Sequence, residues 1–294
     1  MTLNFDRFPQ RNYVKQATAL HSLPRLSEAI GDGKGPDIYI KRDDQLPLAG
    51  GGNKTRKLDF AIGDAIVNGA DTLITGGSIQ SNHCRLTCSA AAKEGLACHL
   101  VLEERVPGTY DSRASGNNLL FKLLGAKSIS VVPKGADLSA DMEKLAMELR
   151  QKEGAKPYVI PMGASYTIGA TGYAKCGQEI ALQIKAMGLQ LDEIITPSGS
   201  AGTHAGLITG LFANDCHIPV QGVCVNRPSE KQEEAVHALC VSLAKHLGLS
   251  AAVPRERIRC DGAQIGPGYS LPTDAMTKAV ILTAQTEGIL LEQF

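Results

Sequence analysis

Short β-rich runs alternate with helical patterns along most of this chain, and this alternation restricts the fold more than any other feature. The runs hold β-branched and apolar residues, whereas the segments between them repeat apolar residues at helical spacing. Strands are predicted at residues 37–41, 71–75, 98–102, 128–132, 158–160, 193–196 and 220–225. Helices are predicted at residues 23–30, 112–124, 138–152, 169–187, 229–247 and 272–288. Three further helices are predicted with one end each: one begins at residue 54, one ends at residue 93 and one begins at residue 203. Such alternation predicts an α/β protein of parallel sheets with helices on both faces.

Length and charge exclude several classes of protein. A chain of 294 residues is long enough for two domains, although no repeat or low-complexity linker marks a boundary. The 30 basic and 30 acidic residues cancel, and no Lys/Arg-rich block appears, so nucleic acid is not an expected partner. No apolar segment approaches the length that crosses a bilayer, and the polar N-terminus does not match a signal peptide. We therefore expect a soluble, cytoplasmic protein without membrane partners.

The eight cysteines do not form a recognisable framework. They are scattered along the chain without the paired spacing of a zinc site. In a reducing compartment, cysteine behaves as a small apolar residue. We predict free and mostly buried thiols, no disulfide and no metal.

The segment Gly50–Lys57 carries an unusual basic cluster. It reads Gly-Gly-Gly-Asn-Lys-Thr-Arg-Lys and precedes an apolar pattern of helical spacing. Lys54 thus lies in the first turn of a helix, where the positive end of the helix dipole disfavours Lys54, Arg56 and Lys57 together. This cost favours a functional explanation for Lys54, although three solvated surface charges explain the local pattern equally well. Arg56 and Lys57 are predicted to be surface charges.

A loop of small residues, Gly199–Gly206, follows one of the predicted strands. It reads Gly-Ser-Ala-Gly-Thr-His-Ala-Gly, and the helix after it offers free N–H donors to an anion such as phosphate. The loop lacks the ending of a P-loop and the spacing of a Rossmann site, so a nucleotide is not indicated. A tight turn into a helix is the alternative.

The segment Gln80–His83 also begins a predicted helix. Its hydroxyl, amide and imidazole groups can hold a carboxylate together with helix N–H groups, while the hydroxyl contacts a reacting carbon. Ser81 or Asn82 is equally explained as a helix N-cap.

The candidate nucleophile is a lysine near a phosphate loop. The sequence contains neither a Gly-x-Ser-x-Gly motif nor a His-Glu-x-x-His motif. A lysine amine that forms a Schiff base, combined with a phosphate loop of no nucleotide type, indicates pyridoxal 5'-phosphate as the cofactor.

Four motifs resemble one family in the same order along the chain. They are Lys41–Asp44, Gly51–Lys57, Gln80–His83 and Gly199–Gly206, and the resemblance extends from about residue 5 to residue 290. The family is that of D-cysteine desulfhydrase and 1-aminocyclopropane-1-carboxylate deaminase. It belongs to the pyridoxal-phosphate enzymes of fold type II, which are built like the tryptophan synthase β-subunit.

The resemblance implies a role for each site residue. Lys54 would bind the cofactor covalently, and Asn82 would donate a hydrogen bond to its phenolic oxygen. Its phosphate would be bound by Gly199, Ser200, Ala201, Gly202 and Thr203. The substrate carboxylate would be bound by Ser81, Asn82 and His83, with Tyr269 lining the pocket.

The resemblance also implies the domain division and the assembly. Residues 1–54 and 169–294 would form a large cofactor-binding domain, and residues 55–168 a small domain. The cofactor would lie between them, and the protein is expected to be a homodimer.

The implied reaction is a β-elimination on a small amino acid. A proton leaves Cα, the cofactor withdraws electron density, and loss of the β-substituent leads to pyruvate and ammonia. Lys54, freed from the cofactor and partly desolvated, would act as the base. Ser81 and Tyr269 complete the expected catalytic residues.

The expected substrate is D-cysteine, with close alternatives. His83 resembles the desulfhydrases, since the deaminases have glutamine at that place. Residues 206–211 and 227–233 are similar to L-cysteate sulfo-lyases, which release sulfite instead of sulfide. Deamination of 1-aminocyclopropane-1-carboxylate is a further alternative.

The C-terminus departs from the family pattern. After residue 291 the family continues with an Asp-Pro-Val-Tyr segment, a helix, and a strand and loop whose Thr or Ser faces the pyridine nitrogen. This sequence reads Glu292-Gln293-Phe294 there. If residue 294 is the native end, cofactor electronics and stability are expected to change, and a non-catalytic relative that keeps the pocket is a further alternative.

Overall fold

The computed structural model describes residues 3–31 and 34–292. The N-terminal segment contains strand β1 (Leu20–Ser22), helix α1 (Pro24–Gly31) and strand β2 (Tyr39–Lys41), and β1 pairs with β2 in antiparallel register. Residues 293 and 294, on which the expectation about the C-terminus partly rests, lie outside the described residues.

A four-stranded parallel sheet forms the first half of the chain. Its strands are β3 (Thr72–Ser78), β4 (Ala97–Glu104), β5 (Ser128–Pro133) and β6 (Pro157–Ile160), in the order β5-β4-β3-β6. The helices of this part are α2 (Lys54–Val67), α3 (Asn82–Glu94), α4 (Asn117–Leu123) and α5 (Leu138–Glu153). Parallel pairing brings the carboxyl ends of these strands to one edge, where the loop before α3 lies.

A three-stranded parallel sheet forms the second half. Its strands are β7 (Ile194–Ser198), β8 (Val220–Cys224) and β9 (Ile258–Asp261), in that order. The helices are α6 (Thr167–Met187), α7 (Gly202–Ala213), α8 (Ser229–Leu247) and α9 (Asp274–Glu287). Pro197 lacks a backbone N–H and is accommodated because β7 is an edge strand of the three.

Helices α2 and α6 pack against each other with almost no space between their backbones. A Cβ built on Gly172 of α6 would lie 1.9 Å from the carbonyl oxygen of Arg56 in α2. Helix α6 approaches α7 equally closely, since a Cβ on Gly210 would lie 2.1 Å from the carbonyl oxygen of Ala174. Glycines at these contacts let the helix that carries Lys54 lie against the second half of the chain.

The predicted fold class is confirmed. Each predicted strand and helix is present, with ends shifted by a few residues, whereas β1 and β9 were not predicted. All eight cysteines are free, and six of them are buried. The described residues contain no helix that is long and apolar enough to span a bilayer. The proposed domain division stays a prediction; the two parallel sheets lie on either side of its boundary at residue 168.

The prediction that Arg56 and Lys57 are surface charges is wrong. Arg56 is 2% exposed and Lys57 is fully buried. Helix α2 is covered on nearly all sides between residues 55 and 65, so it has no solvated face on which these side chains could lie.

We expect Gly172→Ala to destabilise the protein. Its new methyl group would force α2 and α6 apart, and overpacking of this kind lowers the free energy of unfolding by about 1–3 kcal/mol. Gly31→Ala is the matched control, because nothing lies within 4 Å of a Cβ built there. Chemical denaturation of both variants measures the difference, and equal stabilities would contradict the close packing of α2 on α6.

Candidate active site

Lys54 is the first residue of α2 and follows three glycines in left-handed conformations. Gly50, Gly51 and Gly52 have φ values of 83°, 76° and 125°. A Cβ on Gly51 would lie 1.7 Å from the carbonyl oxygen of Asp44, so only glycine fits there. The Lys54 amine donates to Asn53 Oδ1 at 3.0 Å. Burial of the amine lowers the pKa of Lys54 to about 8, and the Glu292 carboxylate opposes this shift.

The loop of small residues lies beside the Lys54 segment. Strand β7 ends at Ser198 and α7 begins at Gly202, after Ala201 in a left-handed conformation with φ 71°. The Thr203 hydroxyl accepts a hydrogen bond from Asn53 Nδ2 at 3.0 Å. The residue before Lys54 is thereby tied to the first turn of α7, as a joint cofactor site requires.

Lys57 is a second buried amine, and it lies against the same loop. Its Nζ donates to the Gly163 carbonyl at 3.1 Å and to Ser165 Oγ at 3.0 Å, and Ser165 Oγ lies 2.7 Å from Ser200 Oγ. Burial, with the charge of Lys54, holds the pKa of Lys57 well below its ordinary value. The sequence analysis did not select Lys57 as a site residue. The electrostatic cost of three cations at the start of one helix was the feature that could have indicated it.

Arg56 points away from these amines into an ion-pair cluster. Its guanidinium donates to both carboxylate oxygens of Asp43, each at 2.8 Å, and to those of Glu179 at 2.8 and 3.1 Å. Lys41 also pairs with Glu179, and the Tyr173 hydroxyl donates to Asp43 at 2.6 Å. The motif Lys41–Asp44 therefore supplies charges that fix α2.

Ser81 and Asn82 stand at the start of α3. Ser81 is the N-cap, and its hydroxyl oxygen accepts from the Cys84 N–H at 3.3 Å. Asn82 accepts a hydrogen bond from Asn117 through its Oδ1 at 2.8 Å and donates to Glu292 through its Nδ2. The Glu292 carboxylate also raises the pKa of Lys54, which places it near that amine.

His83 turns into the protein interior. It is 4% exposed, and its Nε2 lies 2.8 Å from Thr75 Oγ1. The Thr75 hydroxyl donates to the Ile160 carbonyl at 2.8 Å, so His83 Nε2 donates to Thr75. Burial, then the charges of Lys54 and Lys57, hold the pKa of His83 well below its ordinary value. A role of its side chain in binding a carboxylate stays a prediction that this geometry does not favour.

Tyr269 lies in the loop between β9 and α9 and is half-buried. The Arg105 guanidinium stands over its ring at 4.1 Å from the centroid, which is a cation–π arrangement. Arg105 also donates to Glu103 at 2.8 Å, at the end of β4. Tyr269 is thus held from the side of the four-stranded sheet.

The donor set fits pyridoxal phosphate. A Cβ on Gly202 would lie 2.6 Å from Ser165 Oγ and 2.9 Å from Lys57 Nζ, so a side chain there would collide with both groups. Glycine at this position leaves the backbone N–H groups, the hydroxyl and the amine accessible to a ligand. Hydroxyls of Ser200 and Thr203, the first N–H groups of α7 and the Lys57 amine would hold a phosphate there. Lys54 supplies an amine that is neutral above about pH 8.

Comparison with known proteins identifies the family of this chain. The family model described as "pyridoxal-phosphate dependent enzyme" matches residues 13–293. D-cysteine desulfhydrases of Salmonella typhimurium and Salmonella paratyphi B are each 42% identical over 290 residues, which cover 98% of this chain and 85% of theirs.

Solved structures show the same fold. An ACC deaminase homologue superposes with a TM-score of 0.85 at 35% identity, over 98% of this chain and 83% of that one. A fungal L-serine ammonia-lyase from Rhizomucor miehei superposes with a TM-score of 0.62 at 20% identity, over 95% of this chain and 83% of that one, which shows the fold alone. The cofactor is pyridoxal phosphate, and the chain belongs to the family of pyridoxal-phosphate dependent enzymes.

Proposed function

We propose that this protein is a β-eliminating carbon–sulfur lyase that converts D-cysteine and water to pyruvate, hydrogen sulfide and ammonia. The observation that carries this choice is the 42% identity to D-cysteine desulfhydrases over 98% of the chain. The position and lowered pKa of Lys54 support the same chemistry.

Lys54 serves as the covalent link and then as the base. Pyridoxal phosphate, when bound, withdraws electron density from the substrate α-carbon. Lys54 Nζ would bind the cofactor covalently and, when released from it, would accept the proton from the substrate Cα. An amine with a pKa of about 8 can hold and return a proton near neutral pH, whereas an ordinary lysine with a pKa of 10.5 stays charged.

The start of α3 binds the substrate carboxylate. Helix N–H groups of the first turn, those of Asn82 and His83, have no partner within the helix and favour an anion. The Ser81 oxygen already accepts from Cys84 N–H, so its hydroxyl proton is free to donate to the carboxylate. Ser81 and Asn82 thus orient the substrate, while the His83 imidazole stays bonded to Thr75.

The N-terminus of α7 and Lys57 hold the cofactor phosphate. Lys57 Nζ and Ser165 Oγ lie beside Gly202, and Ser200 Oγ lies 2.7 Å from Ser165 Oγ. Thr203 follows Gly202 in the first turn of α7. Tyr269 would close the substrate side of the site from beneath Arg105.

A panel of substrates tests the proposed function. D-cysteine is expected to yield pyruvate faster than L-cysteate does, and faster than 1-aminocyclopropane-1-carboxylate yields 2-oxobutanoate; these two substrates stand for the alternative activities. Lys54→Ala should lower turnover at least about a thousandfold, because it removes both the covalent link and the base. Lys144→Ala, an exposed lysine of α5, is the matched control. Folded, cofactor-loaded protein that releases no pyruvate from D-cysteine would refute the proposal.

The pH dependence of cofactor capture follows from the pKa of Lys54. Only the neutral amine bonds to the cofactor aldehyde, so the capture rate of the cofactor-free protein should rise about tenfold per pH unit and level off near pH 8. Stopped-flow absorbance measures this rate. Glu292→Gln should move the profile to lower pH, because the Glu292 carboxylate raises the pKa of Lys54. A profile that still rises up to the ordinary value of 10.5 would contradict the burial of the amine.

A homodimer and a cytoplasmic location are also part of this proposal. Both come from the family resemblance and the composition of the chain. Light scattering on the eluting protein tests the dimer directly.

A further inference from the structure

Asn117, the first residue of α4, contacts Gln80 and Asn82 through its backbone N–H and its side-chain nitrogen, and Arg85 through its side-chain oxygen. Its backbone N–H donates to Gln80 Oε1 at 2.8 Å. Its Nδ2 donates to the Gln80 carbonyl at 2.7 Å and to Asn82 Oδ1 at 2.8 Å. Its Oδ1 accepts from Arg85 Nη1 at 3.0 Å. Asn117 is 8% exposed, so these bonds are largely shielded from water.

The partners of Asn117 leave one orientation for its amide. A guanidinium can only donate, and a backbone carbonyl can only accept. The Asn117 oxygen must therefore face Arg85, and the Asn117 nitrogen must face the Gln80 carbonyl. This nitrogen in turn requires an acceptor on Asn82, so Asn82 turns its Oδ1 to Asn117 and its Nδ2 to the opposite side.

The Nδ2 of Asn82 points away from Asn117. It donates to the Glu292 carboxylate. Arg85 completes the arrangement, because its Nη2 donates at 3.1 Å to the carbonyl of Gly51, three residues before Lys54. One network thus connects the Lys54 loop, Asn117 and the donor atom of Asn82.

We propose that Asn117 is a positioning residue that holds the Asn82 amide with its donor toward the phenolic oxygen of the cofactor. This inference rests on the proposed function and on the role that the family resemblance implies for Asn82, which is to donate to that oxygen. A donor there stabilises negative charge on the oxygen, whereas a carbonyl in its place would repel it. Asn117 sets the orientation of the Asn82 amide, and this orientation therefore determines how tightly the bound cofactor holds its proton.

Asn117→Asp is the sharpest test, because the side chain keeps its shape but can only accept. The Arg85 contact is retained as an ion pair, whereas Asn82 must rotate to donate to Asp and turn its carbonyl oxygen to the site. We expect the pH midpoint of the visible absorption band of the bound cofactor to rise by about one unit, and kcat for D-cysteine to fall about tenfold. KM should change much less.

Three further variants test whether Asn117 acts through Asn82. In an Asn82→Ala background, Asn117→Asp should produce no additional shift of the midpoint. Asn117→Ala should shift it in the same direction by less, and covers the case in which the aspartate variant does not fold. Asn12→Asp, an exposed residue with φ 55°, is the matched control and should leave midpoint and kcat unchanged.

The outcomes separate this inference from the proposed function. If the wild type releases pyruvate from D-cysteine but folded, loaded Asn117→Asp keeps the wild-type midpoint and kcat, the positioning role is overturned. It is also overturned if the midpoint shifts equally in the Asn82→Ala background. If the wild type binds the cofactor but releases no pyruvate, the proposed function fails, and the midpoint shift still tests Asn117.

Discussion

The position of Lys54 depends on the buried ion-pair cluster around Arg56. Asp43 and Glu179 come from segments far apart in the sequence, and both bind the same guanidinium through two oxygens. Burial pushes the pKa of Asp43 upward, but the hydrogen bonds and charge of Arg56 outweigh it and hold the pKa below its ordinary value. The cluster therefore contributes stability that is present above the unfolded pKa of Asp43 and is lost as pH falls through the folded one. Removing one member of such a pair leaves a buried charge and costs about 3–5 kcal/mol. The bidentate geometry fixes α2 against α6, and Lys54 lies half a turn before Arg56.

The sequence predicts the order of elements well because most of them have a local cause. Helices α3, α5 and α9 begin at side chains that cap the first turn, and α5, α6 and α8 end at glycines in left-handed conformation. Helix α2 shows where local patterns fail. Its apolar spacing suggests one buried stripe and a solvated face, but it is covered on nearly all sides, and its charges find partners more than a hundred residues away. Strand β9 was missed because a four-residue run with two charges does not stand out.

The candidate site also contains residues that the sequence could indicate and residues that it could not. Lys54, the loop 199–203 and Ser81 and Asn82 could be selected from the sequence, because glycines, small residues and capping side chains at helix starts have a direct physical meaning. Their grouping was supplied by the resemblance, and the structure adds the Asn53–Thr203 bond that joins two of these segments. Lys57 and Asn117 could not be selected. A lysine three residues after another reads as a surface charge, and an asparagine at a helix start reads as a cap, until the partners that bury them are known.

The proposed function needs Lys54 and Lys57 in opposite charge states although they lie three residues apart. Burial lowers the pKa of both amines, and the charge of Lys54 lowers that of Lys57 further, so the cofactor-free site avoids two adjacent cations by giving up protons. A phosphate beside Gly202 reverses this for Lys57, since an opposite charge and two oxygen acceptors, Gly163 and Ser165, favour the ammonium. Lys54 has Asn53 as its acceptor among the described contacts, and its amine must be neutral to bond to the cofactor. The phosphate balances the cation formed at Lys57, so the two buried amines can take opposite charge states in the loaded site.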